Sequence, residues 1–223
     1  VDILTAGVAY GDSALGGGHP INVEYVSANP TGPLHVGHGR GAVVGDALAG
    51  LLRKAGFAVT REYYVNDAGG QVDALARSLR LRWLIVAGAE PPDAFARAQA
   101  DGTVQYGGDY LVPVAEALWQ QDGNRWLEAP EEQWLPAFRA FAIESMMRLI
   151  RDDLAVLGIR FDVIASERAL VEQGGVDAAL RFLEARGLIA RTQDPSDRRA
   201  KLARLTGAAE QVLEQVMPVS AAL

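Results

Sequence analysis

The run from Glu24 to Arg40 joins an apolar, strand-like segment to the beginning of a long helical pattern through a turn rich in proline and glycine. It contains His35-Val-Gly-His38, and the only other histidine of the chain is His19. A strand that enters a helix through a tight loop directs the unpaired N–H groups of the helix N-terminus toward that loop, where an anion can bind. Two imidazoles at this point add hydrogen-bond donors. The run therefore predicts a phosphate site.

Apolar patterning around this loop predicts a βαβ unit. Residues Ile21–Ala28 and Ala58–Val65 have the composition of buried strands, and 41–55 has apolar residues at helical spacing before Gly56. A helix between two nearby strands implies a parallel sheet. We therefore expect an α/β fold: a Rossmann-like parallel-sheet core with an α-rich insertion and a small β-hairpin plus helix tail.

The rest of the pattern divides the chain into three parts. Residues 1–20 are glycine-rich and predict the remnant of an N-terminal domain or linker, and 21–187 would form the core, with an insertion at about 88–135. Residues 188–223 would form the tail. Further helices are predicted over 71–87, 111–120, 131–157 and 168–186, a strand over 161–164, a loop over 88–113, a hairpin of 188–191 and 200–205, and a last helix over 208–217.

Composition excludes several classes of protein. The chain has 223 residues with no cysteine, so disulfides, thiolate metal sites and a cysteine nucleophile are absent. Its net charge of −7 provides no general attraction to nucleic acid or anionic lipid, so any such contact needs a local patch. The N-terminus lacks the pattern of a signal peptide, and the longest apolar run, 83–89, is too short to span a bilayer. A cytoplasmic protein without membrane partners is expected.

The loop itself carries residues suited to activating a carboxylate with ATP. Gly32 and Gly37 allow close approach of a ligand, and Pro30 stiffens the turn. Such a reaction needs donors that follow charge developing on a phosphate, and paired histidines at a helix N-terminus suit it. A simpler alternative is that His35 and His38 only cap the helix.

Two further polar residues of the run allow two interpretations. Glu24, at the end of the first strand, could bind a cationic group through charge-assisted hydrogen bonds. Asn29 could contact the same substrate. The alternative for both is hydrogen bonding within the loop, such as an Asx turn.

These motifs resemble class I aminoacyl-tRNA synthetases, whose HIGH motif is present as His35-Val-Gly-His38, and arginyl-tRNA synthetase in particular. The likeness extends in the same order along roughly residues 1–190. It is carried by Val23-Glu-Tyr-Val-Ser-Ala-Asn-Pro-Thr-Gly-Pro-Leu34, Arg61-Glu-Tyr-Tyr-Val-Asn-Asp-Ala-Gly69, Tyr106-Gly-Gly-Asp-Tyr-Leu111, Leu157-Gly-Ile-Arg-Phe-Asp-Val163 and Ser166-Glu-Arg-Ala-Leu170.

The resemblance implies a role for each matching residue. His35 and His38 would hold the phosphates of ATP. Mg²⁺ would accompany the ATP, and the protein would build no metal site of its own. The residues implied on the nucleotide side of the loop are Gly37, under the adenine, with Pro30 and Gly32. Those implied to bind L-arginine are Glu24, Ser27 and Asn29, with Asp67 and Gln71 on the neighbouring rim. Gly70 departs from the family, where a larger polar residue is expected.

The implied activity is that of an arginine–tRNA ligase, which activates arginine with ATP and transfers it to tRNA(Arg). The family is more than twice this length, and the parts that carry its second ATP-binding loop and its anticodon-binding domain have no counterpart here. We therefore expect a catalytic-domain fragment with impaired activity.

The tail has a different likeness. Gly187-Leu-Ile-Ala-Arg191 and Asp194-Pro-Ser-Asp-Arg-Arg-Ala-Lys-Leu-Ala-Arg-Leu-Thr206 resemble the wing of MarR-type winged-helix repressors, which places a seam near 183–189. In that family a wing arginine, matched here by Arg198 or Arg199, reaches a DNA minor groove. A solvated hairpin is favoured over contact with duplex DNA, and a homodimer through the C-terminal helix is a further expectation. The alternative function is a non-catalytic chimera whose tail acts in association or DNA binding.

Overall fold

The computed structural model describes residues 2–193 and 201–220. They divide into two compact units, 1–168 and 169–223. The helices of the first unit are α1 (Asp2–Ala6), α2 (Val36–Lys54), α3 (Gly70–Val86), α4 (Ala94–Ala100), α5 (Leu111–Asp122) and α6 (Glu131–Val156), with 3₁₀ turns at Gly7–Ala9 and Gly123–Trp126. Its strands are β1 (Pro20–Glu24), β2 (Ala58–Val65) and β3 (Val163–Ser166). Helix α7 (Glu167–Glu172) follows β3.

The three strands of the first unit form one parallel sheet in the order β1-β2-β3. Glu24 lies beside Glu62, which lies beside Val163, so the carboxyl ends of all three strands meet at the same edge of the sheet. The loops that leave β1 and β2 at this edge, with the first turns of α2 and α3, contain the residues predicted to bind ATP and arginine, apart from Glu24 at the end of β1. The α/β class with a parallel sheet is confirmed.

Helix α6 joins the two hydrophobic cores of this unit. Its residues Phe138, Ala142 and Met146 pack with α3 and α5, while Ile143 and Ile150 pack in a second cluster with residues of the sheet. The opposite side of α6 stays exposed and carries charged residues such as Glu144 and Arg148. Trp119, Trp126 and Trp134 all lie in or against the first core, so these three aromatic side chains serve packing.

Several predicted boundaries differ from the structure for local reasons. The first strand ends at Glu24 because Val26 and Ser27 have φ values of 64° and 40°, which no strand accommodates. Residues 88–113 are not all loop, since α4 forms there and buries Ala94 and Phe95. The helix predicted over 168–186 is interrupted at Gly174, which has a φ of 73°. The strand predicted over 161–164 lies two residues later.

The second unit contains α8 (Gly175–Ala185), β4 (Ile189–Gln193), β5 (Lys201–Leu205) and α9 (Gly207–Ser220). Strands β4 and β5 pair antiparallel, which confirms the predicted hairpin and the helix after it. Thr206 donates a hydrogen bond of 2.6 Å to the carbonyl of Gly187 and so closes the base of the hairpin. Arg198 and Arg199 lie outside the described residues. In the part of the chain that the structure describes, no helix has both the length and the apolar character needed to cross a membrane.

Candidate active site at the N-terminus of helix α2

His35 and His38 form a reciprocal cap at the beginning of α2. The backbone N–H of Gly37 donates to Nδ1 of His35 at 3.1 Å, and the N–H of His35 donates to Nδ1 of His38 at 3.3 Å. The two imidazoles stack with their centroids 3.7 Å apart and their planes 22° from parallel. The arrangement has the form of a capping box in which histidines replace the usual residues.

This cap determines which ring nitrogens can donate. Each Nδ1 accepts a hydrogen bond and therefore carries no proton, so a neutral ring has its proton on Nε2. Burial, followed by the nearby His35, lowers the pKa of His38, which favours the neutral form. The capping and phosphate-binding interpretations are thus compatible, because Nδ1 serves the helix and Nε2–H remains for a ligand.

The backbone of the first turns of α2 is open to a ligand. A Cβ added to Gly39 or Gly41 would meet no heavy atom within 4 Å of the atoms that the structure describes. A Cβ on Gly37 would lie 3.0 Å from the ring of His35, so glycine there gives the imidazole room to reach its backbone partner without a shift. The N–H of Gly37 is used by the His35 ring and that of Gly39 by the His35 carbonyl, so what this end of the helix presents beside the two imidazoles is its positive dipole end.

The loop after β1 contains strained backbone. Val26 is β-branched and has a φ of 64°, a region that such residues rarely adopt, and Ser27 follows with a φ of 40°. The hydroxyl oxygen of Ser27 accepts a hydrogen bond of 3.0 Å from the N–H of Tyr64, which fixes this turn against β2. Strain of this kind occurs at ligand sites that the surrounding structure holds in place. Glu24, at the end of β1, is exposed and accessible.

Asn29 and Gln71, predicted separately, lie together. Nδ2 of Asn29 donates to Oε1 of Gln71 at 3.0 Å, which connects the loop to the first turn of α3. The Asn29 side chain is exposed, and this bond leaves its Oδ1 as an acceptor. Pro30 is fully buried, so its ring acts by packing and only its backbone can face a ligand.

Asp67 is buried, and its carboxylate is hydrogen-bonded to other parts of the chain. Only 5% of it is exposed, and its two oxygens accept hydrogen bonds from the hydroxyl of Ser166 at 2.7 Å and from the N–H of Arg168 at 2.9 Å. It therefore ties the end of β2 to the end of β3 and the beginning of α7. The structure gives Asp67 a positioning role, in contrast to the open Glu24.

Other charged residues beside the site were not singled out from the sequence. Arg61 on β2 forms a double hydrogen bond to Asp162, with distances of 3.1 and 3.0 Å, and holds the pKa of that carboxyl at about 2. Tyr25 donates a hydrogen bond of 3.1 Å to Asp46 on α2, and its burial together with that carboxylate raises its pKa to about 12. No periodicity reveals these pairs, because the partners are far apart in sequence.

No set of three or more histidine, cysteine, aspartate or glutamate side chains is arranged to hold a metal ion in the described ranges 2–193 and 201–220. The donors around α2 are imidazole and backbone N–H groups, which suit an anion. A divalent cation would therefore depend on oxygens that the ligand itself contributes.

Comparison with known proteins shows what the chain resembles. Residues 1–83 match the family described as class I tRNA synthetases (R), catalytic domain. The arginine–tRNA ligase of Rhodospirillum rubrum is 59% identical over 187 residues, which are 84% of this chain and 32% of that protein. The enzyme of Azorhizobium caulinodans is 59% identical over 77% of this chain and 28% of its own length. The chain thus spans about a third of the length of these relatives.

Solved structures show the same likeness. A crystal structure assigned to an arginyl-tRNA synthetase from Campylobacter jejuni matches with a TM-score of 0.69 and 28% identity, covering 98% of this chain and 49% of that one. The Thermus thermophilus arginyl-tRNA synthetase matches with a TM-score of 0.50 and 26% identity, over 79% of this chain and 28% of that one. The resemblance predicted from the sequence motifs is confirmed, and the likeness of the tail to a repressor wing stays a prediction.

Proposed function

We propose that this chain, related in sequence and fold to class I arginyl-tRNA synthetases, carries the ATP- and arginine-binding half of an arginine–tRNA ligase site. The observation that carries the proposal is the reciprocal histidine cap of α2. It leaves two Nε2–H donors beside the positive end of the helix dipole, next to the loop of Glu24, Ser27 and Asn29.

On the nucleotide side, the chain's contribution is positioning and charge stabilisation. His35 and His38 would donate to phosphate oxygens, and their bonds would strengthen as negative charge grows on the α-phosphate. The backbone at Gly37 and Gly32 would line the nucleotide, and Pro30 would hold the loop through its buried ring. ATP supplies the leaving pyrophosphate, and Mg²⁺ would accompany its phosphate oxygens.

On the amino-acid side, the exposed Glu24 carboxylate would accept hydrogen bonds from the guanidinium of arginine. Oδ1 of Asn29 would accept from another N–H of the substrate, with the amide orientation fixed by Gln71. Ser27 still has its hydroxyl proton to donate, because its oxygen accepts from Tyr64. Asp67 would act indirectly by fixing the end of β2.

The test is ATP–pyrophosphate exchange with arginine and tRNA(Arg), together with ATP binding by calorimetry. The informative variant is His35→Asn/His38→Gln, because asparagine is a good N-cap and glutamine at the third helical position completes an ordinary capping box. The variant keeps the helix cap and removes both imidazole donors. We expect ATP affinity to fall at least about tenfold, since two charge-stabilising hydrogen bonds are lost.

Unchanged ATP binding in this variant would contradict the proposed phosphate role. ATP binding without exchange would limit this chain to ligand binding and would exclude catalysis by the chain alone. Exchange that is present in the parent chain and absent in the variant would establish both the phosphate role of the histidines and catalysis by this chain. The proposed partners are L-arginine and tRNA(Arg), the proposed location is the cytoplasm, and 21–187 is proposed as the catalytic-domain fragment after a remnant at 1–20.

A second candidate concerns 188–223, where the β4–β5 hairpin and α9 have the form expected of a wing and its following helix. Val212 and Leu213 on α9 are exposed apolar residues, which favours association of two chains over DNA contact as the role of the tail. Sedimentation equilibrium tests this candidate. A concentration-dependent dimer that is lost in Val212→Asp supports it, and a salt-dependent shift of duplex DNA that is lost in Arg198→Ala/Arg199→Ala would instead support a DNA-binding tail.

A further inference from the structure

A hydrogen bond joins the α-rich insertion to the loop that precedes the histidine cap. The hydroxyl of Tyr110 donates to the backbone carbonyl of Thr31 at 2.8 Å, across 79 positions of sequence. Tyr110 stands immediately before α5, and Thr31 stands four residues before His35. A group from the insertion thus holds the backbone of the candidate phosphate loop.

Two glycines make room for this contact. A Cβ on Gly32 would lie 3.2 Å from the Tyr110 hydroxyl, and a Cβ on Gly108 would overlap with the Tyr110 ring and lie 3.1 Å from its Cζ. The ring could not keep this position with a side chain at Gly108, and a side chain at Gly32 would require its hydroxyl to shift by a few tenths of an ångström. The ring is therefore fixed between the loop and its own segment.

The same loop is held from a second side. Asn29 donates to Gln71 at the beginning of α3, and the N–H of Thr31 donates to the carbonyl of Asn29 at 2.8 Å. Helices α3 and α5 share one core, in which Leu75 and Leu111 are fully buried. Both anchors of the loop consequently belong to one packed body.

We propose that Tyr110 is a positioning residue for the histidine cap, acting through the Thr31 carbonyl on the backbone that leads to His35. The predicted effect of Tyr110 on ATP binding rests on the proposed function, whereas its predicted effect on the two imidazole rings is independent of that function. Without the hydroxyl, the segment between Asn29 and His35 loses the hydrogen bond from Tyr110 and keeps the one from Asn29 to Gln71 together with the packing of Pro30. The cap at His35 and the direction of both Nε2–H groups then become less well defined.

The test compares Tyr110→Phe with Tyr106→Phe in the full chain. Both variants remove one hydroxyl from tyrosines four residues apart, and Tyr106 also packs against the core of α3 and α5. We measure the imidazole ¹⁵N signals of His35 and His38, the ATP affinity and the melting temperature. Tyr110→Phe should shift both imidazole signals and weaken ATP binding about fivefold, the equivalent of one hydrogen bond. Tyr106→Phe should change neither.

Each result has a distinct meaning. A lower melting temperature in Tyr110→Phe with unchanged imidazole signals and ATP affinity would show a purely structural role and overturn the proposal. Equal changes in the imidazole signals and ATP affinity in Tyr106→Phe would also overturn the proposal. If the parent chain binds no ATP, the proposed function fails, and the imidazole signals alone decide on Tyr110. If Tyr110→Phe does not fold, Gly108→Ala displaces the same ring and should shift the same signals.

Discussion

Gly45→Ala tests whether α2, and with it the histidine cap, is fixed by close packing of its backbone against Tyr25, the residue that follows β1. A Cβ at Gly45 would lie 2.5 Å from Cβ of Tyr25, where real Cβ contacts do not fall below 3.0 Å. Tyr25 cannot easily move aside, because its hydroxyl is bonded to Asp46 and the contact is with the base of its side chain. Either the helix or the tyrosine must therefore shift.

Two effects of opposite sign decide the size of the change. Replacing glycine by alanine inside a helix favours folding by about 1 kcal/mol through backbone entropy. Overpacking a filled site costs about 1–3 kcal/mol, and the severe overlap at Tyr25 places this case at the upper end of that range. The net result is a loss of about 1–2 kcal/mol of the free energy of unfolding, which lowers the melting temperature by about 2–8 °C in a chain of this size.

Gly50→Ala is the matched control in the same helix. A Cβ at Gly50 would meet no heavy atom within 4 Å of the described structure, so only the entropic gain remains. Thermal unfolding by circular dichroism should therefore show Gly50→Ala at or above the parent and Gly45→Ala below it. If Gly45→Ala were as stable as Gly50→Ala, the close approach of α2 to Tyr25 would be refuted.

The remaining predictions concern two carboxylates. The pKa of Asp162, about 2 beside Arg61, is below that of an unfolded aspartate, so the stability it contributes is present above about pH 4 and is lost as the pH falls toward 2. Because its side chain is 43% exposed, Asp162→Asn should cost only about 1 kcal/mol at pH 7 in urea unfolding and clearly less at pH 2, where the carboxyl is half protonated. An equal cost at both pH values would contradict the ion pair. Asp67→Asn places an amide donor against the donors of Ser166 and the α7 backbone, and should lower the free energy of unfolding by about 1–3 kcal/mol. The control is Asp152→Asn, an exposed position where the change should stay within about 0.5 kcal/mol. Similar losses in both variants would contradict the positioning role of Asp67.

The parts of the fold that follow local patterns were predictable from the sequence. The strand predicted over 58–65 has the same bounds as β2, because it combines β-branched and aromatic residues with a glycine before and a turn after. Helix α2 begins five residues earlier than its apolar pattern indicated. The first turns contain Gly37, Gly39 and Gly41, which give no apolar pattern and do not favour a helix. The cap that stabilises these turns is made by histidines, which are not usual N-cap residues.

The site was predictable in its residues and unpredictable in its contacts. The motif indicated that His35 and His38 belong together, and the structure adds that each Nδ1 is used by the helix, which fixes the donors as Nε2–H. Asp67 accepts a hydrogen bond from Ser166, 99 residues away, and Tyr110 donates one to Thr31, 79 residues away. Such contacts arise from the packing of the sheet and the insertion, so no local spacing contains them.

The central claim is tested most directly by the ¹⁵N–¹H signals of the His35 and His38 imidazoles at neutral pH, with and without ATP. The account predicts that both rings carry their proton on Nε2 in the free chain, with Nδ1 unprotonated and hydrogen-bonded. It further predicts that ATP shifts the Nε2 signals of both rings more than that of His19, which lies outside the site. Protonation on Nδ1, or Nε2 signals of His35 and His38 that ATP leaves unchanged, would contradict the claim that this helix terminus binds the phosphates.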